Sequence, residues 1–244
     1  MLFRSYLEIL KQAWTCSEPF SFEGEYYRLE DFSTEVRTFQ QPRIPIYFGG
    51  SSEAAYRVGA KHADVFALWG EPLAGTASQM AAVRSEAAKY GRSPRFSVSF
   101  RPILGRTEEL AWERAHRLLA AVQENVKASK GRFAPSHIRY SPDERPENTG
   151  SQRLLAAAAA GERHDRALWT PLATVTGAAG NSTALVGTPE TVAQAILDYV
   201  EIGVSTILIR GYDPFDDAVQ YGRELLPLVR AEVERREQNE SRGA

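Results

Sequence analysis

The residues of this sequence that could do chemistry stand at the ends of short apolar runs. Gly49-Gly50-Ser51-Ser52 separates Ile46-Tyr47-Phe48 from a helical stretch reaching about His62. A strand-to-helix turn of this kind offers unsatisfied backbone N–H groups, the positive end of a helix dipole and two hydroxyls, a combination that can hold phosphate. The plainer reading is a tight turn in which serine caps the helix. Trp69 ends the next run, Val65–Trp69. At the carboxyl end of a parallel strand its ring either walls a ligand pocket or covers core. In Phe96–Leu104, Ser99 and Arg101 alternate with Val98, Phe100 and Ile103, so both polar residues share one face. An inward-turned arginine must be paired, by a bound anion or by a carboxylate of the protein. Arg210 closes the last apolar run and can neutralise an anion at the same mouth. Other chemistries find no support. His62, His116, His137 and His164 are scattered and form no acid–base dyad, and no Gly-x-Ser-x-Gly motif occurs. Cys16 is the sole cysteine, with no Cys or His at ligand spacing, so neither a disulfide framework nor a zinc site is expected.

These residues need elements to position them. Phe3, Tyr6, Leu7, Leu10 and Trp14 recur at the spacing of one helical face, so the chain opens inside an amphipathic helix. The stretch 20–39 alternates and is aromatic-rich, with Glu25–Leu29 and Val36–Phe39 read as two short strands. From Pro45 onward apolar runs alternate with helical stretches. Helices are expected at about 53–62, at 76–90 with Gln79 in a capping box and Gly91 as a left-handed cap, and from near Thr107 past Val126. Thr188-Pro189 starts another that ends at Gly203, and a last one runs from about Phe215 to Glu234. Residues 130–182 read as an insertion with mobile parts, and 235–244 as a frayed polar tail on one domain spanning 1–234. Four short strands, each apolar on both faces and followed by a helix, argue for a parallel sheet of the α/β class. A closed (β/α)8 barrel needs eight, so four would make only part of one.

Composition narrows the function classes. The 244 residues are 43% hydrophobic and 25% charged, with 29 basic and 31 acidic side chains and a formal net charge of −2. Such an even balance leaves no electrostatic footprint for nucleic acid or an anionic membrane, so small molecules or proteins are the expected partners. No apolar run approaches the roughly 20 residues that span a bilayer, and the first residues are not signal-like, which points to the cytoplasm.

Several blocks together resemble the luciferase-like flavin monooxygenases, in particular their alkanesulfonate monooxygenase branch. They are Ile46–Ser52, Ala63-Asp64-Val65, Leu68-Trp69-Gly70-Glu71-Pro72, Thr183–Val192, Gly203-Val204 and Arg210-Gly211-Tyr212, in the family's order from about Phe3 to Leu228. The resemblance implies the last four strand-helix units of a TIM-type barrel, with the insertion between the third and fourth, and a chain beginning after the fourth barrel strand. It further implies reduced FMN delivered by a separate NAD(P)H-dependent flavin reductase, with O2 as co-substrate and a small organic molecule, a sulfonate or other organosulfur compound, as the one oxygenated. By the same resemblance Gly50, Ser51, Ser52, Trp69 and Ser99 belong to the cofactor site, and Arg101 and Tyr212 to the reacting centre. The tyrosine hydroxyl would hydrogen-bond substrate. Two departures weigh against a sulfonate: Ser99 and Arg101 stand where the branch commonly has Arg and His, and Thr176 stands where its covering loop, here 177–182, carries an Arg. The resemblance also leaves room for a homo-oligomer or a complementing N-terminal fragment as partner. The alternatives are a non-catalytic flavin-binding half-barrel that pairs with itself or a full-length relative, and a deazaflavin-dependent reductase.

Overall fold

The computed structural model describes residues 2–128, 146–178 and 183–243. They form two compact units, one of Met1–Phe66 with Ala81–Arg95 and one of Ala67–Met80 with Phe96–Ala244.

The first unit holds α1 (Leu2–Thr15), the hairpin β1 (Phe20–Glu23) and β2 (Arg28–Phe32), β3 (Tyr47–Gly49), α2 (Glu53–His62), the start of β4 (Val65–Trp69) and the end of α3 (Leu73–Ala88). The apolar stripe of α1 does what its spacing predicts. Leu7, Leu10 and Trp14 close over Ile46, Val58 and Phe48, although Tyr6 lies off the buried side. The hairpin is shifted from the expected strands. Residues 25–27 belong to the turn, where the Gly24 N–H donates to the Tyr27 carbonyl at 2.9 Å, and the partners are Phe22 with Leu29 and Glu23 with Arg28. Phe20 and Phe32 meet edge to face at 5.5 Å, and that aromatic pair selects this register over one using Val36–Phe39. Phe39 is wholly exposed and belongs to no strand.

An ion cluster locks the approach to the sheet. Arg43 grips Asp64 with both nitrogens at 2.6 and 3.0 Å, the Ile46 N–H donates to the same carboxylate at 2.7 Å, and Arg92 adds a contact at 3.4 Å. Burial opposes ionisation of Asp64, but the arginines and the Ile46 N–H outweigh it and hold the carboxyl below its usual range. The Ile46 carbonyl accepts from the N–H groups of Asp64 and Val65, so β3 starts in step with β4.

The second unit continues with the end of β4, the start of α3, β5 (Arg95–Leu104), α4 (Glu108–Ala128), α5 (Thr149–Ala160), β6 (Arg163–His164), β7 (Leu168–Trp169) and α6 (Pro171–Thr176). Then come β8 (Ala184–Gly187), α7 (Pro189–Glu201), β9 (Thr206–Ile209), α8 (Asp216–Gln220), a π-helical turn at Tyr221–Leu225 and α9 (Leu226–Gly243). The fold is α/β, a part of a TIM-type barrel, and the four expected strands are β3, β4, β5 and β9.

Three more strands arise, β6 and β7 in the stretch read as an insertion and β8 just after it. β5 is long enough to serve two parallel neighbours on successive halves: Ser97–Phe100 pairs with β9, and Arg101–Leu104 pairs with β8. β8 enters where β4 ends. The Gly70 N–H donates to the Ser99 carbonyl at 3.1 Å, then the Arg101 N–H donates to the Thr183 carbonyl at 3.1 Å, and the Thr183 hydroxyl ties back to the Gly70 carbonyl at 2.8 Å. β7 lies antiparallel to β8, and β6 antiparallel to β7. The excursion is pinned by Arg153 of α5, whose Nε and Nη2 reach the Glu71 carboxylate at 2.8 and 2.6 Å, and by Asp165, which accepts the Leu73 N–H at 2.8 Å. That second bond starts α3 at Leu73, three residues before the expected Thr76. Gln79 is therefore buried inside the helix rather than capping it.

Thr107 caps the helix expected to start near it, and the expected cap at Thr188 is present. Their hydroxyls accept from the N–H groups of Leu110 and Thr191, each at 3.3 Å, and Pro189 occupies the first turn. The last helix differs. It is interrupted by the π turn and runs on to Gly243, past the expected end at Glu234. Residues 235–239 are steadied by Arg235 and Arg236, which both bond Glu232.

Candidate functional site

The strongest concentration of expected site residues lies in the second unit, where parallel strands end. Such ends leave backbone groups and side chains facing a common mouth. Here the carboxyl end of β4 (Leu68–Gly70), the middle of β5 (Ser99–Arg101), Thr183 before β8 and the residues after β9 (Arg210–Tyr212) come together through the hydrogen bonds given above and a bond from the Arg210 N–H to the Phe100 carbonyl at 3.2 Å.

Arg101 and Tyr212 meet. The Arg101 guanidinium lies over the Tyr212 ring, 5.2 Å from its centre, and Nη1 donates to the Gly211 carbonyl at 3.1 Å. Burial, and then the neighbouring Arg210 charge, hold the Arg101 pKa below its ordinary value. Among its partners are a backbone carbonyl and an aromatic face. The Tyr212 hydroxyl is buried and has no hydrogen-bond partner among the described residues, and burial raises its pKa above that of an ordinary phenol. A buried phenol without a partner keeps a donor and acceptor in reserve for a ligand. Ser99 is half-buried one rung below, its hydroxyl 3.5 Å from the Leu68 carbonyl.

Trp69 leans on the excursion. Its ring is half-buried against the cluster of Leu154, Ala173 and Ala178, and a methyl group added at Gly150 would lie 3.0 Å from it. Glu71 is structural: it is 5% exposed in its pair with Arg153, and its carbonyl accepts the Tyr199 hydroxyl at 2.7 Å.

The other expected site residues belong to the first unit. Gly50, at φ +155°, is required there, since a Cβ would sit 2.5 Å from that of Ala55. The Ser52 hydroxyl accepts the Ala55 N–H at 3.2 Å and so caps α2, as the plainer reading has it. Its proton is still available to donate. Ser51, beside it, is half-buried. Arg57 faces solvent in a loose pair with Glu53.

Of the histidines, His62 is buried beside Glu8, His164 bonds backbone carbonyls of Ala157 and Gly161, and His116 meets Trp169 edge to face. His137 and residues 179–182 of the covering loop lie outside the described residues. Among the described residues no cluster of His, Cys, Asp or Glu could hold a metal ion, and no helix is long and apolar enough to cross a membrane.

Sequence reasoning missed Thr183, Arg114 and Asp217. Thr183 links two strand ends through one hydroxyl. Asp217 is 1% exposed, ion-paired with Arg114, and accepts the N–H groups of Tyr212 and Asp213 at 2.8 and 3.0 Å. In the sequence Asp216 and Asp217 look alike, as acids of a helix start, and nothing in their spacing tells which one turns inward.

The family model for luciferase-like monooxygenases matches residues 2–206. The chain belongs to that family. Solved structures share the fold. A riboflavin lyase, with modified FMN and its substrate riboflavin, is 20% identical with a TM-score of 0.72 over 95% of this chain and 57% of that one. DmoA from Hyphomicrobium sulfonivorans is 18% identical, with a TM-score of 0.69 over 95% and 55%. A long-chain alkane monooxygenase is 18% identical, with a TM-score of 0.66 over 93% and 55%. The chain thus spans little more than half the length of these relatives.

Proposed function

We propose that the chain serves a flavin-dependent monooxygenation, in which reduced FMN from a separate NAD(P)H-dependent reductase and O2 are used to oxygenate a small organic substrate. The observation that carries this reading is the Arg101–Tyr212 pair at the strand ends: a cation over an aromatic face, beside a buried hydroxyl with no partner among the described residues. The residues of the second unit fit the cofactor on that observation. Bound flavin supplies the oxygen chemistry. The chain's own groups bind and orient. Backbone N–H groups at Gly50 and Ser51 and the Ser51 and Ser52 hydroxyls would hold the phosphate. Trp69 and Ser99 would face the ring system, and Trp69 would help exclude water from it. Arg101 attracts negative charge on the substrate, and the Tyr212 hydroxyl donates to a substrate oxygen. Within the family the alkanesulfonate branch is the reading favoured by the motif blocks, and an anionic organosulfur substrate suits Arg101.

Fluorescence titration of the purified chain with FMN, and oxygen-insertion assays with a flavin reductase and NAD(P)H, test the proposal. Flavin binding that weakens at least tenfold in a Ser51→Ala/Ser52→Ala double variant, with turnover that drops in Tyr212→Phe, is expected. No flavin binding by the wild-type chain, or binding indifferent to the serines, would overturn it.

A second reading, a half-barrel that binds another polypeptide without catalysis, is favoured by β9. Among the described residues that strand pairs only with β5, and Leu208 at its centre is 60% exposed. A strand edge left in this state invites pairing. Light scattering that gives a dimer, combined with flavin binding but no turnover, would select it over the first.

A further inference from the structure

Tyr212 does not hold its own position. It follows Gly211, and the three residues Gly211–Asp213 turn around one carboxylate that is almost wholly buried. Asp217 accepts the Tyr212 N–H at 2.8 Å and the Asp213 N–H at 3.0 Å on the same oxygen, Oδ2, while its own N–H donates to the Asp213 carbonyl at 3.0 Å. The other oxygen, Oδ1, takes Arg114 Nη2. Arg114 is itself fixed to β5 through the Leu104 carbonyl at 3.2 Å and to α8 through Gln220 at 3.4 Å. The turn is fitted around this carboxylate, because a Cβ at Gly211 would lie 2.2 Å from that of Asp217. The Gly211 carbonyl in turn receives Arg101.

We propose that Asp217, clamped by Arg114, is a positioning residue that aims the Tyr212 hydroxyl and, through the Gly211 carbonyl, Arg101. The inference rests on the reading that assigns Tyr212 and Arg101 to the site, and its physical basis is local. One buried carboxylate satisfies two consecutive N–H groups, and the arginine that neutralises it is tied both to β5 and to α8, the helix into which the turn leads. Loosening the carboxylate frees the turn and lets the phenol swing toward water, which removes the burial that keeps it protonated.

The test reads the phenol directly in the protein without flavin or substrate, so its outcome is separate from that of the functional proposal. Tyrosine labelled at the ring carbon bearing oxygen is followed by NMR against pH, with the Tyr212 signal assigned by its loss in Tyr212→Phe. In the wild-type chain Tyr212 should stay protonated to pH 10.5. In Asp217→Asn, and independently in Gly211→Ala, which pushes the carboxylate away without removing it, the signal should titrate within that range, with an acid constant at least tenfold larger. Thr188→Ala, which removes a helix cap elsewhere in the unit, controls for general loosening and should leave Tyr212 as in wild type. A Tyr212 signal unchanged in both Asp217→Asn and Gly211→Ala, or moved equally by Thr188→Ala, overturns the proposal. If Asp217→Asn does not fold, Gly211→Ala alone decides.

Discussion

The Glu71–Arg153 pair predicts an asymmetry in stability that depends on which partner is removed. The Glu71 side chain is 5% exposed, while Arg153 is 33% exposed. Arg153→Met leaves a carboxylate that cannot reach water and has lost bonds at 2.8 and 2.6 Å from its cation. An uncompensated buried charge costs about 3–5 kcal/mol, and the lower end applies here because the pair is one-third open on the arginine side. Glu71→Gln instead leaves a guanidinium that can turn outward, while the amide still accepts one bond. A loss of about 1 kcal/mol is expected. The difference, roughly 2 kcal/mol, is about a thirtyfold change in the unfolding constant. Urea denaturation followed by tryptophan fluorescence measures it, provided that the slope with denaturant is unchanged between variants. Glu71→Gln equal to or worse than Arg153→Met would refute the burial argument. Losses below about 0.5 kcal/mol in both variants would mean that the pair does not pin the excursion to the end of β4.

Two further outcomes follow from the same reasoning. Burial, with Lys11 and Lys61 nearby and Arg92 also opposing protonation, holds the His62 ring at a pKa of about 4 against a usual 6.5, while Glu8 works the other way. A depressed folded-state value means that the contribution of the neutral ring is complete above pH 6.5 and is lost as pH falls toward 4. At about 1.4 kcal/mol per unit it is on the order of 3 kcal/mol. His62→Gln should flatten unfolding free energy against pH in that window, and a pH profile as steep as wild type would count against it. Thr188→Ala removes the hydroxyl that caps α7 and should cost about 1 kcal/mol by the same denaturation assay, with a cost near zero as the refuting result.

What could be read from the sequence had local causes. Thr188-Pro189 announces a helix start because proline fits the first turn and threonine the cap. β3, β4, β5 and β9 announce themselves as apolar runs between turn residues. The stripe Leu7, Leu10, Trp14 needs only helical spacing. The rest depends on distant partners. β8 is a buried run of four residues, Ala184–Gly187, too short to be distinguished from a loop until Arg101–Leu104 lies beside it. β6 and β7 are two residues each and exist only by pairing, β7 with β8 and β6 with β7. The hairpin was misplaced because Val36–Phe39 alternates as well as Arg28–Phe32 does, and only the Phe20–Phe32 contact separates them. At the site, the face shared by Ser99 and Arg101 was legible from strand alternation. The support of Tyr212 by Asp217 was not, because it depends on which of two adjacent acids meets Arg114 across the unit.

The handover along β5 bears on how this chain can change. Gly70 and Thr183 occupy successive rungs of one ladder beside Ser99 and Arg101. The chain therefore leaves β5 at Gly105 and comes back beside it at Thr183, a fixed address. Residues can be gained or lost along that route without moving the address or the polar face of β5. That stretch is where a descendant of this chain could acquire a new preference for its ligand while its sheet stays as it is.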